Sequence, residues 1–505
     1  MYGTKRAINI REIVPKEHKI LSQPEESRMR DLFRAIRVGN QEKIEKAVRK
    51  EIEKLHKNTE TIFEKIRKVK RIRTRSMNIL KKWNDVFQDL KAGKMDETLT
   101  MMGCEDVTVS RERVAYVMEE FGKCFGAEEN KEVVLCSAPG RTEICGNHTD
   151  HQNGHVLAAA VNLDILACVA LNGTDTVRFQ SEGWPMTTVN LSDLEPQEGE
   201  KETTASLIRG VLAQLSKAGY PVAGFDMYAV SSVLPGSGLS SSAACEVLFG
   251  TAGNHLFCND ELDAVTIAKI GQKAENLYFG KPSGLMDQTA SSVGNAVSID
   301  FADPEAPIVK TVTADLEKLG LALCIIDCGA DHVALTGEYA SIPQEMGQVA
   351  AYFGKQVLHE VREEDVMAAL KSLRHEVGDR AVLRALHFYA DDKRAVEEAE
   401  ALERRDREGF LKLVRESGRS SRELLQNITP TAAVEHQDMA VALTMAEKAL
   451  NGKGACRVHG GGFAGTIQAF VPLDEVCEFK KTLEGMLEEG CCHVLNIRPI
   501  GGIVF

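Results

Sequence analysis

The spacing of apolar residues divides the chain into two parts with different patterns. Between Ile44 and Val69 apolar residues recur every three or four positions, which predicts one long helix with a narrow apolar stripe. From residue 107 onward, apolar runs of strand length alternate with segments of helical period. The pattern therefore predicts a helical N-terminal extension followed by a body that mixes strands and helices.

Several segments of the body have a pattern clear enough to assign. A helical period covers residues 111–125, a helix begins at Ser241, and residues 345–452 are largely helical. The predicted strands are residues 133–136, 155–161, 225–232, 321–327 and 465–471. A chain of 505 residues usually holds two or three domains, and these elements are enough to build them.

Composition narrows the class of protein. The hydrophobic share of 43% and the charged share of 27% are ordinary for a globular protein. We find no apolar run long enough to cross a bilayer and no apolar signal-peptide core at the N-terminus. The 13 cysteines show neither a CxxC pair nor Cys/His metal spacing. We therefore expect a cytoplasmic protein with reduced thiols.

Charge is distributed unevenly along the chain. Residues 1–100 carry 26 Lys and Arg against 15 Asp and Glu, whereas residues 101–505 carry 35 against 59. We expect the basic helix to pack on the acidic body or on another subunit, so self-association through this helix is one hypothesis. Charge alone permits nucleic-acid binding, but no aromatic residues are interleaved with the basic ones, and we expect no nucleic-acid partner.

A glycine- and serine-rich segment, residues 235–244 (PGSGLSSSAA), follows a predicted strand and opens a predicted helix. Glycine allows a tight turn, and the start of a helix offers unpaired N–H groups to an anion. The simplest structural explanation is a serine-capped helix, but capping needs only one of the three consecutive serines. The segment lacks the Gly-Lys-Ser/Thr of a Walker A loop. It therefore predicts a different kind of triphosphate-binding loop.

Four segments in this order resemble the GHMP kinases, and specifically the galactokinases. PGSGLSSSAA resembles the second GHMP motif, and residues 138–154 (APGRTEICGNHTDHQNG) resemble the galactokinase signature. Residues 281–288 (KPSGLMDQ) resemble the galactokinase segment with the catalytic aspartate. Residues 457–465 (RVHGGGFAG) resemble the third, glycine-rich motif. The resemblance covers about residues 107–505.

The resemblance implies a two-lobed α+β GHMP kinase fold. Its N-terminal lobe would be like domain 2 of ribosomal protein S5, its C-terminal lobe ferredoxin-like, and the active site would lie between them. We assign residues 1–106 to the helical extension, 107–315 to the N-terminal domain and 316–505 to the C-terminal domain. The implied reaction is ATP-dependent phosphorylation of the anomeric hydroxyl of galactose, giving galactose 1-phosphate and ADP.

The resemblance also implies the roles of individual residues. Arg141 and Asp287 would be the catalytic pair, and Ser242 and Glu275 would hold Mg²⁺. The substrate-binding residues would be Asn147, His148, Asp150, Gly284 and Tyr339. The nucleotide-binding residues would be Gly236, Ser237, Gly238, Leu239, Ser240, Ser241 and Ser242.

Each of these side chains also has a purely structural explanation. Asp287 would suit a helix cap. Arg141, which follows a predicted turn at Pro139-Gly140, would suit a structural salt bridge. A buried Glu275 needs a partner, which is either a basic side chain or a cation. Tyr339 would suit simple packing. The order of the four motifs favours the functional interpretation for Asp287, Arg141 and Glu275, whereas packing and sugar contact stay equal alternatives for Tyr339.

The chain departs from the usual galactokinase signature at several positions. Glu143 replaces the usual Asn, Asn147 the usual Glu, His151 the usual Tyr, and His459 stands where Thr is common. In galactokinases the Glu at position 147 of this chain would contact the sugar 6-hydroxyl. An amide there, which carries no charge and donates hydrogen bonds, would ease binding of a carboxylate at C6.

Two alternatives follow from these departures and from the family. The His-x-Asp-His-Gln run at residues 148–152 resembles plant galacturonate kinases, so galacturonate is an alternative substrate. Some relatives of galactokinase are sensors that bind galactose and ATP without turnover and have a shortened Ser-Ala loop. The intact loop of this chain, together with Arg141, Glu275 and Asp287, favours an enzyme.

Overall fold

The computed structural model describes residues 80–104, 106–126, 130–234, 238–281, 283–329 and 335–505. The long helix predicted between Ile44 and Val69, and with it the hypothesis of self-association, lies outside these residues. Gly236 and Ser237 of the predicted nucleotide loop also lie outside them.

The strands of the described residues form two sheets. Their bounds are β1 (Lys81–Lys82), β2 (Glu132–Cys145), β3 (His155–Leu171), β4 (Thr176–Ser181), β5 (Thr187–Asn190), β6 (Phe225–Ser231), β7 (Ala296–Asp300), β8 (Ile308–Val312), β9 (Leu321–Asp327), β10 (Ala455–Val458), β11 (Thr466–Pro472), β12 (Cys492–Leu495) and β13 (Ile503–Val504). The first sheet has the order β1-β2-β3-β6-β4-β5, with β13 on β2 and the β7–β8 pair on β3. The second sheet has the order β10-β11-β9-β12 and is antiparallel.

The helices of the described residues pack against these two sheets and against one another. Their bounds are α1 (Trp83–Lys91), α2 (Asp96–Met101), α3 (Val107–Phe125), α4 (Thr204–Lys217), α5 (Ser241–Cys258), α6 (Ala264–Ala274), α7 (Met286–Val293), α8 (Thr336–Tyr352), α9 (Glu363–Val377), α10 (Asp379–Arg404), α11 (Arg407–Ser420), α12 (Asp438–Leu450) and α13 (Val476–Met486). Single π-turns extend α6 through Phe279 and α11 through Leu425. No helix among the described residues is long and apolar enough to cross a membrane.

The predicted elements agree with this architecture where the apolar pattern was strong. The predicted strand at residues 321–327 coincides with β9, and the helix predicted from Ser241 is α5. The segment that leads into Arg141 is different, because the turn predicted at Pro139-Gly140 is part of the long strand β2. Its pairing with β3 shifts register between Pro139 and Arg141 and again before Cys145. Irregular pairing of this kind accommodates a proline, which has no N–H for a regular ladder.

The largest apolar core joins the two sheets. It contains residues of the first sheet and of α5, together with Leu323 on β9 and Phe470 on β11. A second cluster includes Leu90 and Leu99 of the first two helices and Phe121 of α3. The last part of the segment predicted as an extension is therefore packed on α3. β8 ends at Val312 and β9 begins at Leu321, so the predicted boundary at 315/316 falls in the connection between the sheets.

Candidate active site

Arg141 on β2 and Asp287 in the first turn of α7 form the central ion pair of the site. The distances from Arg141 Nε to Asp287 Oδ1 and from Nη2 to Oδ2 are both 2.7 Å. A planar guanidinium and a carboxylate form strong two-point pairs of this kind. Arg141 also donates to the Gly238 carbonyl, and its backbone N–H donates to the Leu239 carbonyl at 3.0 Å. These bonds bring together β2, the loop before α5 and α7.

The Asp287 carboxylate is held in its ionised form. Burial raises its pKa, but the Arg141 charge and hydrogen bonds from Arg141 and Ser240 outweigh burial, and the pKa lies below its usual value. The side chain is still 25% exposed, so part of the carboxylate stays accessible. An ionised and accessible carboxylate next to an arginine is suited to orienting a hydroxyl group and accepting its proton.

The loop that enters α5 has an unusual backbone. Gly238 has φ 70° and Ser240 has φ 59°, both in the left-handed region. A Cβ on Gly238 would lie 3.2 Å from His459 Nδ1. The Ser240 hydroxyl does not cap the helix but donates to Asp287. The first N–H groups of α5 are therefore not capped by this serine, which is the arrangement that favours an anion at a helix N-terminus.

The remaining described residues of the loop differ in burial. Leu239 is fully buried in the main apolar core and anchors the loop. Ser241 is the first residue of α5 and is exposed, and Ser242 is half-buried. The loop is thus attached by its leucine, while its hydroxyl groups remain at or near the surface.

Ser242 and Glu275 lie next to each other, at the start of α5 and in the π-turn after α6. Ser242 Oγ donates to Glu275 Oε1 at 3.1 Å, and Lys281 Nζ lies 3.3 Å from the same oxygen. Gln288 Nε2 donates to the other Glu275 oxygen and to Glu246 Oε2, both at 2.9 Å. Glu246 is fully buried, and its Oε1 has no hydrogen-bond partner among the described residues. The site therefore concentrates carboxylate and hydroxyl oxygens, the ligands that Mg²⁺ prefers.

His148 lies in the turn between β2 and β3, with a left-handed φ of 62°. Its Nε2 lies 3.0 Å from the Gly461 carbonyl, which can only accept, so Nε2 carries the proton. Its Nδ1 is buried and has no partner among the described residues. Burial lowers the pKa of His148 to about 3, so the ring is neutral. Nδ1 is therefore an acceptor that a ligand hydroxyl can use.

Asp150 and Gly284 are also close together. A Cβ on Gly284 would lie 2.5 Å from Asp150 Oδ2, so only glycine leaves room for this carboxylate. The other oxygen, Oδ1, accepts from the His151 N–H at 2.9 Å. Because Gly284 lies three residues before Asp287, this contact places Asp150 beside the segment that carries the central ion pair.

Tyr339 in the first turn of α8 packs on the third glycine-rich motif. Its hydroxyl donates to the Gly462 carbonyl at 2.9 Å, and its ring meets Phe463 edge-on at 5.6 Å. A Cβ on Gly461 would lie 2.7 Å from the Tyr339 ring. Burial raises the pKa of Tyr339 to about 12. The neutral tyrosine and His148 thus both contact the 461–462 segment.

Asn147 is fully buried, and its side chain is bonded to protein groups on all sides. Its Nδ2 donates to Glu143 Oε1 at 2.9 Å and to the Gly460 carbonyl at 2.6 Å. Its Oδ1 accepts from Asn427 Nδ2 at 2.7 Å. Direct contact between Asn147 and a sugar stays a prediction, and it would have to replace one of these bonds.

Three further polar residues surround Asn147 and were not predicted from the sequence. Arg457, fully buried, pairs with Glu143 Oε1 at 3.0 Å. His387 and Asp391 on α10 bond the main chain of Asn147 at 3.0 Å each. Arg457 could have been found, because it opens the third motif. The two residues of α10 lie in a helical segment without a motif, so nothing in the sequence singled them out.

Comparisons with known proteins identify relatives of this chain. The family model for the GHMP kinases N terminal domain matches residues 206–295, and the model for the galactokinase galactose-binding signature matches residues 119–171. Galactokinase of Streptomyces coelicolor is 31% identical over 368 residues, which cover 73% of this chain and 91% of that protein. Galactokinase of Glaesserella parasuis is 29% identical over 371 residues, covering 72% and 91%.

A solved structure shows the same fold. The crystal structure of Lactococcus lactis galactokinase complexed with galactose superposes with a TM-score of 0.66 at 25% identity, covering 77% of this chain and 98% of that protein. The expectation of a GHMP kinase fold is therefore confirmed. Together with the sequence identity to the Streptomyces enzyme, these findings show that the chain belongs to the galactokinases of the GHMP kinase family.

Proposed function

We propose that this protein transfers the γ-phosphoryl group of ATP to the anomeric hydroxyl of galactose, giving galactose 1-phosphate and ADP. The observation that carries the proposal is the two-point Arg141–Asp287 pair, joined by Ser240 of the loop at the start of α5. The contact with Ser240 brings this carboxylate and this guanidinium next to the N-terminal end of α5, where phosphate groups can bind. Phosphoryl transfer depends chiefly on such positioning and charge stabilisation.

The transfer proceeds at Asp287 and Arg141. The sugar hydroxyl oxygen forms a bond to the γ-phosphorus while the bond to the bridging oxygen breaks, and that oxygen leaves with the electron pair as part of ADP. The hydroxyl proton passes to Asp287. Because the pKa of Asp287 is depressed, the carboxylate takes the proton late, as the bond to phosphorus acidifies the hydroxyl. Arg141 stabilises the negative charge on the transferring group.

The N-terminal end of α5 holds the phosphate tail of ATP. Its N–H groups and the exposed Ser241 hydroxyl supply donors for phosphate oxygens, whereas the Ser240 hydroxyl already donates to Asp287. Ser242 and Glu275 fit a divalent cation, because a hydroxyl and a buried carboxylate lie 3.1 Å apart and Mg²⁺ commonly takes few protein ligands beside phosphates and water. Bound there, Mg²⁺ would neutralise phosphate charge. The Lys281 side chain is 58% exposed, so its ammonium group can move away from Glu275 when the cation binds.

The sugar is held by the turn after β2 and by the segments opposite it. His148 Nδ1 accepts from one hydroxyl, and the carboxylate of Asp150, whose side chain is 13% exposed, accepts from others. Gly284 leaves space beside Asp150, and Tyr339 closes the site against the glycine-rich motif. The galactose in the Lactococcus lactis complex supports galactose as the substrate.

The structure also weakens the argument for galacturonate. That argument rested on the loss of a carboxylate at position 147, but Glu143 places a carboxyl group 2.9 Å from the Asn147 amide. The exchange of the two residues keeps a carboxyl–amide pair in the network. The curated relatives compared above are galactokinases, and the complete set of Arg141, Asp287, Ser242 and Glu275 favours turnover over a sensor role.

The test is an assay of the full chain with ATP, Mg²⁺ and a panel of sugars that includes galactose, galacturonate and glucose. We expect ADP release with galactose and a product with a single phosphate ester at C1, identified by ³¹P NMR. The kcat/KM for galactose should exceed that for each other sugar. No ADP above the sugar-free control, or a higher kcat/KM with galacturonate, would contradict the proposal.

A further inference from the structure

The helix α10 buries polar side chains against the turn that carries His148. His387 and Asp391 are one helical turn apart and have no exposed surface. Burying an acidic and a basic side chain is costly unless both are fully paired. The hydrogen-bond partners of these two side chains therefore indicate the role of this face of the helix.

Both side chains bind the main chain of the same residue, Asn147. Asp391 Oδ2 accepts from the Asn147 N–H at 3.0 Å, and His387 Nε2 lies 3.0 Å from the Asn147 carbonyl. A carbonyl only accepts, so His387 donates through Nε2, and its Nδ1 accepts from Ser420 Oγ at 2.8 Å. The other Asp391 oxygen pairs with Arg394 Nη1 at 3.0 Å. The two peptide groups on either side of Asn147 are thus fixed by α10.

This attachment bears directly on His148. The Asn147 carbonyl belongs to the peptide group that precedes His148, and the orientation of that group enters the φ angle of His148. That angle is 62°, a region that a non-glycine residue occupies only when its surroundings hold it there. The buried Nδ1 of His148, which has no partner among the described residues, keeps its direction only if the backbone keeps this conformation.

We propose that His387 and Asp391 are positioning residues for the sugar site, acting through the backbone of Asn147 to orient His148. The inference rests on the proposed function. The pair touches neither the Arg141–Asp287 pair nor the start of α5. Weakening it should therefore impair sugar binding while leaving ATP binding intact.

The test uses paired variants of the full chain. In Asp391→Asn one oxygen becomes an NH₂ group that faces a donor, and His387→Leu removes the donor to the Asn147 carbonyl. His387→Gln keeps an N–H donor of similar reach. Glu400→Gln is the matched control on the same helix, because Glu400 is exposed and pairs only with Arg404 among the described residues.

We expect the KM for galactose to rise about tenfold or more in Asp391→Asn and His387→Leu, with the KM for ATP within about twofold of wild type. His387→Gln should recover most of the loss, and Glu400→Gln should match wild type. An unchanged KM for galactose in both variants would contradict the positioning role. Equal losses for both substrates, with no recovery in His387→Gln, would show a merely structural role and also overturn it.

A second measurement needs no substrate and separates this inference from the proposed function. Hydrogen–deuterium exchange of the peptide spanning residues 145–154 should be faster in Asp391→Asn and His387→Leu than in wild type, His387→Gln and Glu400→Gln. A wild type inactive on galactose would contradict the proposed function alone, and the exchange data would still decide the role of α10. Unchanged exchange in both variants would overturn the inference.

Discussion

At the scale of single residues, the proposed chemistry depends on how Asp287 is kept ionised. Burial opposes the charge, whereas Arg141 and Ser240 favour it, and the net effect is a lowered pKa. The same contacts orient both carboxylate oxygens. Asp287 is therefore placed by the protein before a sugar arrives, which is the condition for efficient transfer.

We expect Asp287→Asn to lower kcat by about a hundredfold or more, because an amide accepts no proton and leaves Arg141 without its charge partner. Binding of ATP and galactose should persist, as measured by isothermal titration calorimetry. Asp474→Asn is the control, since Asp474 is exposed and lies outside the site. A variant at position 287 with the wild-type kcat would remove this residue from the chemistry.

The pair Glu143 and Asn147 illustrates how a substitution is understood only with its neighbour. Either departure from the galactokinase signature, taken alone, suggests a changed charge near the sugar. In the structure the two side chains share a hydrogen bond of 2.9 Å, and Glu143 also pairs with Arg457. A carboxyl group and an amide therefore lie side by side here, with the carboxyl group four positions earlier in the chain than in the usual signature.

At the scale of elements, α10 is the helix that organises the interior behind the sugar site. Besides His387 and Asp391 it buries Arg384, which donates to the Leu425 carbonyl and to Ser341 of α8. The same helix thereby contacts the turn after β2 and the helix that carries Tyr339. A second buried acid on it, Glu398, has no nitrogen or oxygen hydrogen-bond partner among the described residues.

Glu398 should make stability depend on pH. Burial raises its pKa from 4.5 to about 8, with the Arg457 charge opposing. Between these values the folded protein keeps a proton that the unfolded chain releases, so the unfolding free energy falls as pH rises through this window. The slope is at most about 1.4 kcal/mol per pH unit.

Glu398→Gln removes this titration, so its stability relative to wild type should increase from pH 5 to pH 8. Urea unfolding at pH 5, 6.5 and 8 measures the difference, with Glu400→Gln as the exposed control on the same helix. Parallel pH curves for wild type and Glu398→Gln would contradict the expectation.

At the scale of the whole molecule, the C-terminal segment returns from the second sheet to the first. After β12 the chain passes Arg498, which donates to Ser137 on β2 at 2.8 Å and pairs with Asp164 on β3 at 3.0 Å. β13 then pairs with β2 beside Ser137. Since β2 also carries Arg141, residues 498–504 support the strand that holds the arginine proposed to be catalytic.

We expect Arg498→Met to lower the unfolding free energy by about 3–5 kcal/mol, because it removes a partner of the buried Asp164. Urea unfolding followed by circular dichroism measures the shift. Arg404→Met provides the control, since Arg404 is 62% exposed and its pair with Glu400 should contribute under about 1 kcal/mol. Equal midpoints for Arg498→Met and wild type would contradict this role for Arg498.

A site residue could be predicted from the sequence when the motif that indicates it is short, and could not when its partners lie far away along the chain. Arg141, Asp287, Ser242 and Glu275 were predicted because each lies in or near a short motif, and the structure pairs them two by two. The bulged course of β2 was predicted wrongly as a turn, because pairing with β3 and β13 outweighs the local preference of Pro-Gly. His387 was not found, because its partner Asn147 lies 240 positions away.

By itself the sequence determined the type of those elements whose apolar pattern is strong, the glycine and serine chemistry of the loop before α5 and the family to which the chain belongs. Such features depend on the spacing of residues within a short stretch of chain, over a few helical turns or strand repeats. Tertiary structure alone decided which partner each buried polar group has. Asn147 lies between Glu143 and Asn427, Asp391 binds the backbone, and Glu398 has no hydrogen-bonding nitrogen or oxygen in the part of the chain that the structure describes. The physical reason is that desolvation and pairing are set by segments far apart in the chain, which meet only when the two sheets and α10 pack together.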